Sequence, residues 1–334
     1  MSSNHQTSSA LGPIISRYLS LKKALGRRYD TETGILLSLD AFLLAHEAGS
    51  SDLGPGAFAD WCRTLARLTP GVRRKWMRVV RNLCLYRRRT VPGCFVPDAA
   101  LFPSQHQSVQ PYIFTEAEIV RLMAATRGLG RTRQMPIRPE TFGLAIVLLY
   151  TTGLRRRELV RLTVGDYDPQ EQTLLIRQTK FHKSRYLPLS ADGVQKIQDY
   201  LHTRRTHGIP TSPDMPLLWN GQAGFRCYSG GGFWNAIRRL LKIVGICKPN
   251  GRPPRVHDFR WTFAVHALLR WYRSGADVQA KLPLLATFMG HVSISSTQYY
   301  LPLVESLSMA AGSLFAKHYG KLIVPLPTQK GGER

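Results

Sequence analysis

Thr152-Gly153-Leu154-Arg155-Arg156-Arg157-Glu158-Leu159 comes directly after a run, residues 142–150, that is apolar on every side. A run of that character reads as a buried central helix. It is too short for a membrane span, which takes about 20 apolar residues. The Gly-Leu turn at Gly153 closes it, and Arg155 opens the next segment. An arginine in that place is ordinarily a surface charge at a helix start. Three segments further on give it a different meaning. Thr179-Lys180-Phe181-His182-Lys183-Ser184-Arg185 joins two short apolar stretches, 173–177 and 185–189, the pattern of a β-hairpin around a basic turn. His257-Asp258-Phe259-Arg260 opens a helical segment. Gly290-His291 closes another, and Tyr300 stands nine residues beyond that histidine.

Taken singly, each segment has an ordinary explanation. A Gly-His at a helix end is often a cap, and most tyrosines pack half-buried. Their spacing adds geometry. His257 and Arg260 are three apart and share a helix face. His291 and Tyr300, nine apart, would oppose each other on one continuous helix. Gly290, with Ser293 or Ser295 as a cap, puts a turn between them, so both can point into one cleft.

The chain around these segments is strongly basic. Its 334 residues carry 46 Lys and Arg against 21 Asp and Glu, a formal net charge of +25. Apolar content of 43% with 20% charged residues is a globular mixture, so disorder does not account for the charge. A polyanion does, and nucleic acid is the leading partner because each neutralised phosphate releases counterions. Cys62, Cys84, Cys94, Cys227 and Cys247 are scattered without a C-x-x-C pair, which indicates neither a disulfide framework nor a zinc site. The polar first ten residues lack a signal-peptide pattern, so a cytoplasmic location without membrane attachment is expected.

Helical periodicity organises the rest. Residues 1–10 read as a flexible terminus. Residues 11–92 form an all-helical domain with segments at 14–25, 35–46, 58–68 and 72–86. In the last of these Val72, Trp76, Val79, Leu83 and Tyr86 share one face, while Arg74, Arg78, Arg81 and Arg88 lie on another. That basic run has no acid at i+4, which favours a DNA-facing helix over a solvated surface. Residues 93–112 hold three prolines and no period, as a linker would. A second domain spans 113–318, where Thr115 can cap a helix containing Glu118. It mixes helices at 191–205, 231–246, 257–272, 277–288 and 294–316 with the hairpin. Residues 319–334 read as a tail. The fold class is thus mainly α with a small β-hairpin or sheet.

In order and local context the four segments resemble the catalytic domain of tyrosine recombinases, meaning phage integrases and Xer-like enzymes. The resemblance covers about residues 112–315, and the helical domain ahead of it looks like the family's SAM-like core-DNA-binding domain. The resemblance implies a C-shaped clamp on DNA and site-specific recombination through a 3′-phosphotyrosyl intermediate. Arg155 matches the first catalytic arginine, Lys180 the hairpin lysine, His257 and Arg260 the His-x-x-Arg box, His291 the histidine after a Leu-Gly turn, and Tyr300 the nucleophile. Met289 replaces the usual leucine, Trp261 stands where histidine is frequent, and Tyr299 is a second tyrosine beside the matched one. The resemblance further implies no cofactor and no metal. It also implies double-stranded DNA with specific core sites, and a homo-tetramer with a dimer per site or a hetero-assembly with sibling recombinases. A separate arm-binding domain is not expected ahead of the helical one.

The chemistry agrees. A phosphodiester is anionic, so displacement at phosphorus needs cations where charge builds on its non-bridging oxygens. Arg155 and Arg260 can supply them bidentately, with His291 as a further donor. At pH 7 only about one tyrosine in a thousand is ionised, a deficit of about 4 kcal/mol. His257 is the base that can take the Tyr300 proton, and neighbouring cations favour the phenolate. Lys180, with Lys183 as fallback, suits protonation of the departing 5′-oxygen. The alternatives are a non-catalytic architectural DNA binder and a type IB topoisomerase-like enzyme. A carboxylate-metal transposase lacks a recognisable acidic triad here. The apolar stretch after Tyr300 is expected to dock into a neighbouring protomer.

Overall fold

The computed structural model describes residues 9–46, 52–104, 110–177, 184–221, 226–291, 295–298 and 300–301. Lys180 and Lys183 in the hairpin turn, Tyr299, and the apolar stretch after residue 301 lie outside them. The chain divides into two compact units, Met1–Val109 and Gln110–Arg334.

In the first unit, helices α1 (Gly12–Ala24), α2 (Asp30–Ala45), α3 (Pro55–Thr64) and α4 (Pro70–Arg87) enclose an apolar core. Proline opens α1, α3 and α4, in the turn where its missing N–H is no loss. Ile15, Leu36, Leu39, Trp61 and Val80 are fully enclosed. On α4 the packed face holds Trp76, Val79, Leu83 and Tyr86 together with Met77, Val80 and Cys84, while Val72 in the first turn stays exposed. Phe95, Val96, Ala99 and Phe102, from the expected linker, pack on this core as well.

The second unit begins with α5 (Glu116–Arg127), started by a capping box. Thr115 Oγ1 accepts the Glu118 N–H at 3.2 Å, and the Glu118 carboxylate accepts the Thr115 N–H at 2.9 Å. Next, α6 (Arg138–Thr152) is buried nearly all round and ends at Gly153, whose φ of +60° is left-handed. A Cβ there would stand 2.6 Å from Phe263, so both conformation and space require glycine. The short α7 (Arg156–Arg161) starts directly after Arg155. Strands β1 (Tyr167–Asp168), β2 (Thr173–Ile176) and β3 (Arg185–Pro188) form an antiparallel sheet in that order. The expected hairpin is β2–β3, with Leu174 opposite Leu187. Tyr167 opposite Leu174 adds a third strand.

Then come α8 (Ala191–Thr206), α9 (Gly230–Ile243), α10 (Val256–Arg273), α11 (Val278–Met289) and the one-turn α12 (Ser295–Gln298). Phe142, Leu148, Phe233 and Phe259 lie at the centre of the larger core, and Val265, Leu268 and Met289 in an adjoining cluster that includes Tyr300. Among the described residues no helix is long and apolar enough to cross a membrane.

Candidate active site

The site forms where two helix ends meet. Both α6 and α11 stop at left-handed glycines, Gly153 and Gly290 (φ +67°), which leave their last carbonyls without helical partners. Guanidinium groups take those carbonyls. Arg260, on the first turn of α10 and 1% exposed, donates from Nη1 to Gly153 O at 2.7 Å and from Nη2 to Met289 O at 2.6 Å. Arg155 donates from Nη2 to Gly290 O at 2.9 Å. Arg185, at the start of β3, donates from Nε to Phe288 O at 3.0 Å. Three arginines from separate elements therefore hold three successive carbonyls at the negative end of α11.

Glu158 ties the group together. Its carboxylate accepts from the Arg155 backbone N–H at 3.0 Å and from Arg155 Nη1 at 2.7 Å. Arg185 reaches the same carboxylate with Nη1 at 3.2 Å and Nη2 at 3.1 Å. Burial alone would raise the carboxyl pKa, but Arg185 and Arg155 outweigh it and hold Glu158 below its ordinary value. Three cations against this carboxylate leave a surplus of positive charge, which is what a phosphodiester requires.

His291 and Tyr300 complete the cluster. The turn at Gly290 brings them to one side, as the spacing required. Their rings stand 5.9 Å apart and nearly parallel, at 12°. Trp261 meets the Tyr300 ring edge-on, with centroids 4.3 Å apart. Tyr300 is 4% exposed. His291 Nδ1 and Thr297 Oγ1 are 2.7 Å apart. His257, on the same turn of α10 as Arg260, is exposed.

Charge and burial act against each other here. Burial foremost, followed by the neighbouring Arg155, pushes the Arg260 guanidinium down to about 10, so it remains a cation at neutral pH. Burial, then Arg260 and Arg155, pushes His291 down to about 4 and leaves it a neutral imidazole. Burial of the ring foremost, then Arg260 and Arg255, lowers the His257 pKa below 6.5, although the residue as a whole is exposed. The phenol differs from expectation. Arg260 and Arg155 do favour the phenolate, but burial outweighs them and the Tyr300 pKa lies above 10.0.

Comparison with known proteins agrees with this geometry. The model of the phage integrase family matches residues 113–305. This chain belongs to the phage integrase family. A Sinorhizobium fredii protein named as an integrase/recombinase, y4rB, is 31% identical over 86% of this chain and 91% of its own length. Tyrosine recombinase XerD of Mycobacterium leprae is 31% identical over 59% of this chain and 58% of its own. The XerH recombinase in a post-cleavage complex with DNA shares the fold at a TM-score of 0.64, with 16% identity, covering 94% of this chain and 91% of that one. The Tn1549 transposon integrase on a circular-intermediate DNA does so at 0.63, with 16% identity, covering 91% and 99%. The chain is a tyrosine-type site-specific DNA recombinase.

In this recombinase the arginines expected on α4 divide. Arg74 donates from Nη1 to Phe102 O at 3.3 Å and Pro103 O at 2.9 Å, and Arg81 from Nε to Pro97 O at 3.0 Å. Those two hold the 97–103 segment on the first unit. Arg78 and Arg88 are exposed. Two residues of the recombinase site escaped the sequence reading. Arg185 was legible only as the end of a hairpin. Thr297 carried no signal beyond standing three residues before Tyr300.

Proposed function

We propose that the recombinase cuts DNA by attack of Tyr300 Oη on a scissile phosphodiester. The Oη–P bond forms, the P–O5′ bond breaks, and the DNA is left as a 3′-phosphotyrosyl ester. Arg155 and Arg260 receive the charge on the non-bridging oxygens, with His291 as a neutral donor beside them. His257 takes the phenolic proton, and Lys180 delivers one to the departing 5′-oxygen. The reverse steps on a second strand rejoin the DNA, so bond energy is kept in the ester. The single observation that carries this reading is the stacking of Tyr300 against His291, in the cluster that Arg260 anchors through Met289 O, although the three come from different segments.

A buried phenol with a raised pKa is a poor nucleophile as it stands. Bound DNA has to loosen its contacts with Trp261 and Arg260 before the base can act. The test is a suicide substrate carrying a nick that lets the short product diffuse away. Wild type and Tyr299→Phe should give a protein–DNA adduct that survives detergent, and Tyr300→Phe none. An adduct from Tyr300→Phe overturns the assignment.

The two-domain reading assigns core-site binding to residues 11–92, through Arg78, Arg88 and the remaining charge of Arg74 and Arg81, with Lys183 of the second domain as a further DNA contact. It assigns chemistry to residues 113–318. Two protomers on one core site fit the description of lambda integrase as a dimer on a core site, and pairing two such sites would bring four together. The stretch after residue 303 is the docking element of that reading. Truncation there should abolish synapsis and spare binding to a single duplex.

A further inference from the structure

His291 ends in a neutral imidazole, and a neutral imidazole has one N–H to give. Which nitrogen carries it decides whether the ring attracts or repels a phosphate oxygen. In metal-binding histidines the ring nitrogen turned away from the site commonly donates to a backbone carbonyl or a carboxylate, which can only accept, and so the proton is drawn to that side. Here the partner is a hydroxyl. Thr297 Oγ1 lies 2.7 Å from His291 Nδ1, and Thr297 is completely buried, so water does not compete for the bond. A hydroxyl can rotate and donate. If it donates to Nδ1, the ring proton must sit on Nε2.

The same residue fixes the nucleophile. The Thr297 carbonyl accepts the Tyr300 backbone N–H at 3.1 Å, while the His291 N–H is held by Ala286 O at 2.8 Å. One threonine thus joins the end of α11, through the histidine ring, to the turn that carries the tyrosine. Resting on the reading that His291 donates to the scissile phosphate, we propose that Thr297 is a positioning residue: its hydroxyl donates to His291 Nδ1, keeping the proton on Nε2 where the phosphate oxygen is received.

Rates of cleavage with bound suicide substrate test this. Thr297→Val keeps the volume and loses the hydroxyl. It should cut cleavage about 10- to 100-fold while leaving DNA affinity unchanged. Thr297→Ser should restore it to within about 3-fold. Thr297→Ala, which opens a small void, should match the valine variant, since the hydroxyl and not the packing matters. In a His291→Ala background Thr297→Val should cost nothing further, whereas a structural role would cost the same again. Ring nitrogen-15 spectra should show His291 protonated on Nε2 in wild type and as a tautomer mixture in Thr297→Val. Full-rate cleavage by Thr297→Val, or an undiminished second loss in the His291→Ala background, overturns the proposal alone. A His291→Ala protein that cleaves normally overturns the phosphate-donor reading and the proposal with it.

Discussion

The two units use arginine in opposite ways. On α4 a dense basic run looks, in the sequence, like a binding face. Yet Arg74 and Arg81 donate to carbonyls of residues 97–103, and Arg78 and Arg88 stand in solvent. In the second unit Arg155, Arg185 and Arg260 are scattered through the sequence, yet all three end on consecutive carbonyls of α11. Density of charge along the chain marks a surface. Convergence onto one helix end makes a site, because fixed cations in a buried setting act on a phosphate more strongly than mobile ones in water.

The contrast can be broken experimentally, first where the effect is largest. Arg260→Lys keeps the charge but cannot span Gly153 O and Met289 O with one planar fork. Cleavage of the suicide substrate should fall by about 1000-fold with DNA affinity nearly unchanged. A loss below about 5-fold would mean that charge alone matters and the anchoring is incidental.

Gly290→Ala comes next. It forces a side chain into a left-handed conformation, at about 1–2 kcal/mol, and its Cβ would stand 2.8 Å from Arg185 Nη1. Urea unfolding should show that destabilisation, with cleavage falling about 10-fold or more as Arg185 is displaced. Unchanged stability would show the turn to be freer than its φ of +67° implies.

The pH profile sharpens the comparison further. A lowered pKa keeps His257 neutral, and so able to accept the Tyr300 proton, below 6.5. The rate of cleavage should therefore hold as pH falls to 6.5 and decline only beneath it, and His257→Ala should remove that decline. An acid limb centred above 6.5 contradicts the assignment. The smallest effects belong to α4. Arg78→Gln and Arg88→Gln should each weaken binding evenly across DNA sequences and reduce the salt slope by about 1. Arg74→Gln and Arg81→Gln should act mainly on the stability of the first unit, by about 1 kcal/mol. If the latter pair lowers DNA affinity as much as the former, the division drawn on α4 is wrong.

Much of this was legible in the sequence because it rests on periodicity and residue type. The all-round apolar run at 142–150 is the buried helix α6, Thr115 is its neighbour's cap, and the alternation at 173–176 and 185–188 is a β ladder. Strand β1 is two residues long and leaves no pattern to read. Arg155, Arg260, His291 and Tyr300 were legible as positions that match the family's pattern, and the structure brings them together. Arg185 was not, since its partners Glu158 and Phe288 O lie 27 and 103 positions away and one is a backbone atom. The tyrosine's raised pKa escaped for a related reason. Charges can be counted along a sequence, but the enclosure of Tyr300 beside Trp261 and His291 is a property of the fold alone.

Holding the cations by peptide oxygens has an evolutionary consequence. Every amino acid supplies the same C=O, so the grip of Arg185 and Arg260 survives exchange of the side chains at 288 and 289. Methionine at 289 in place of the family's usual leucine is such an exchange. Selection at those two positions is then free to follow packing, while the guanidinium groups keep their places.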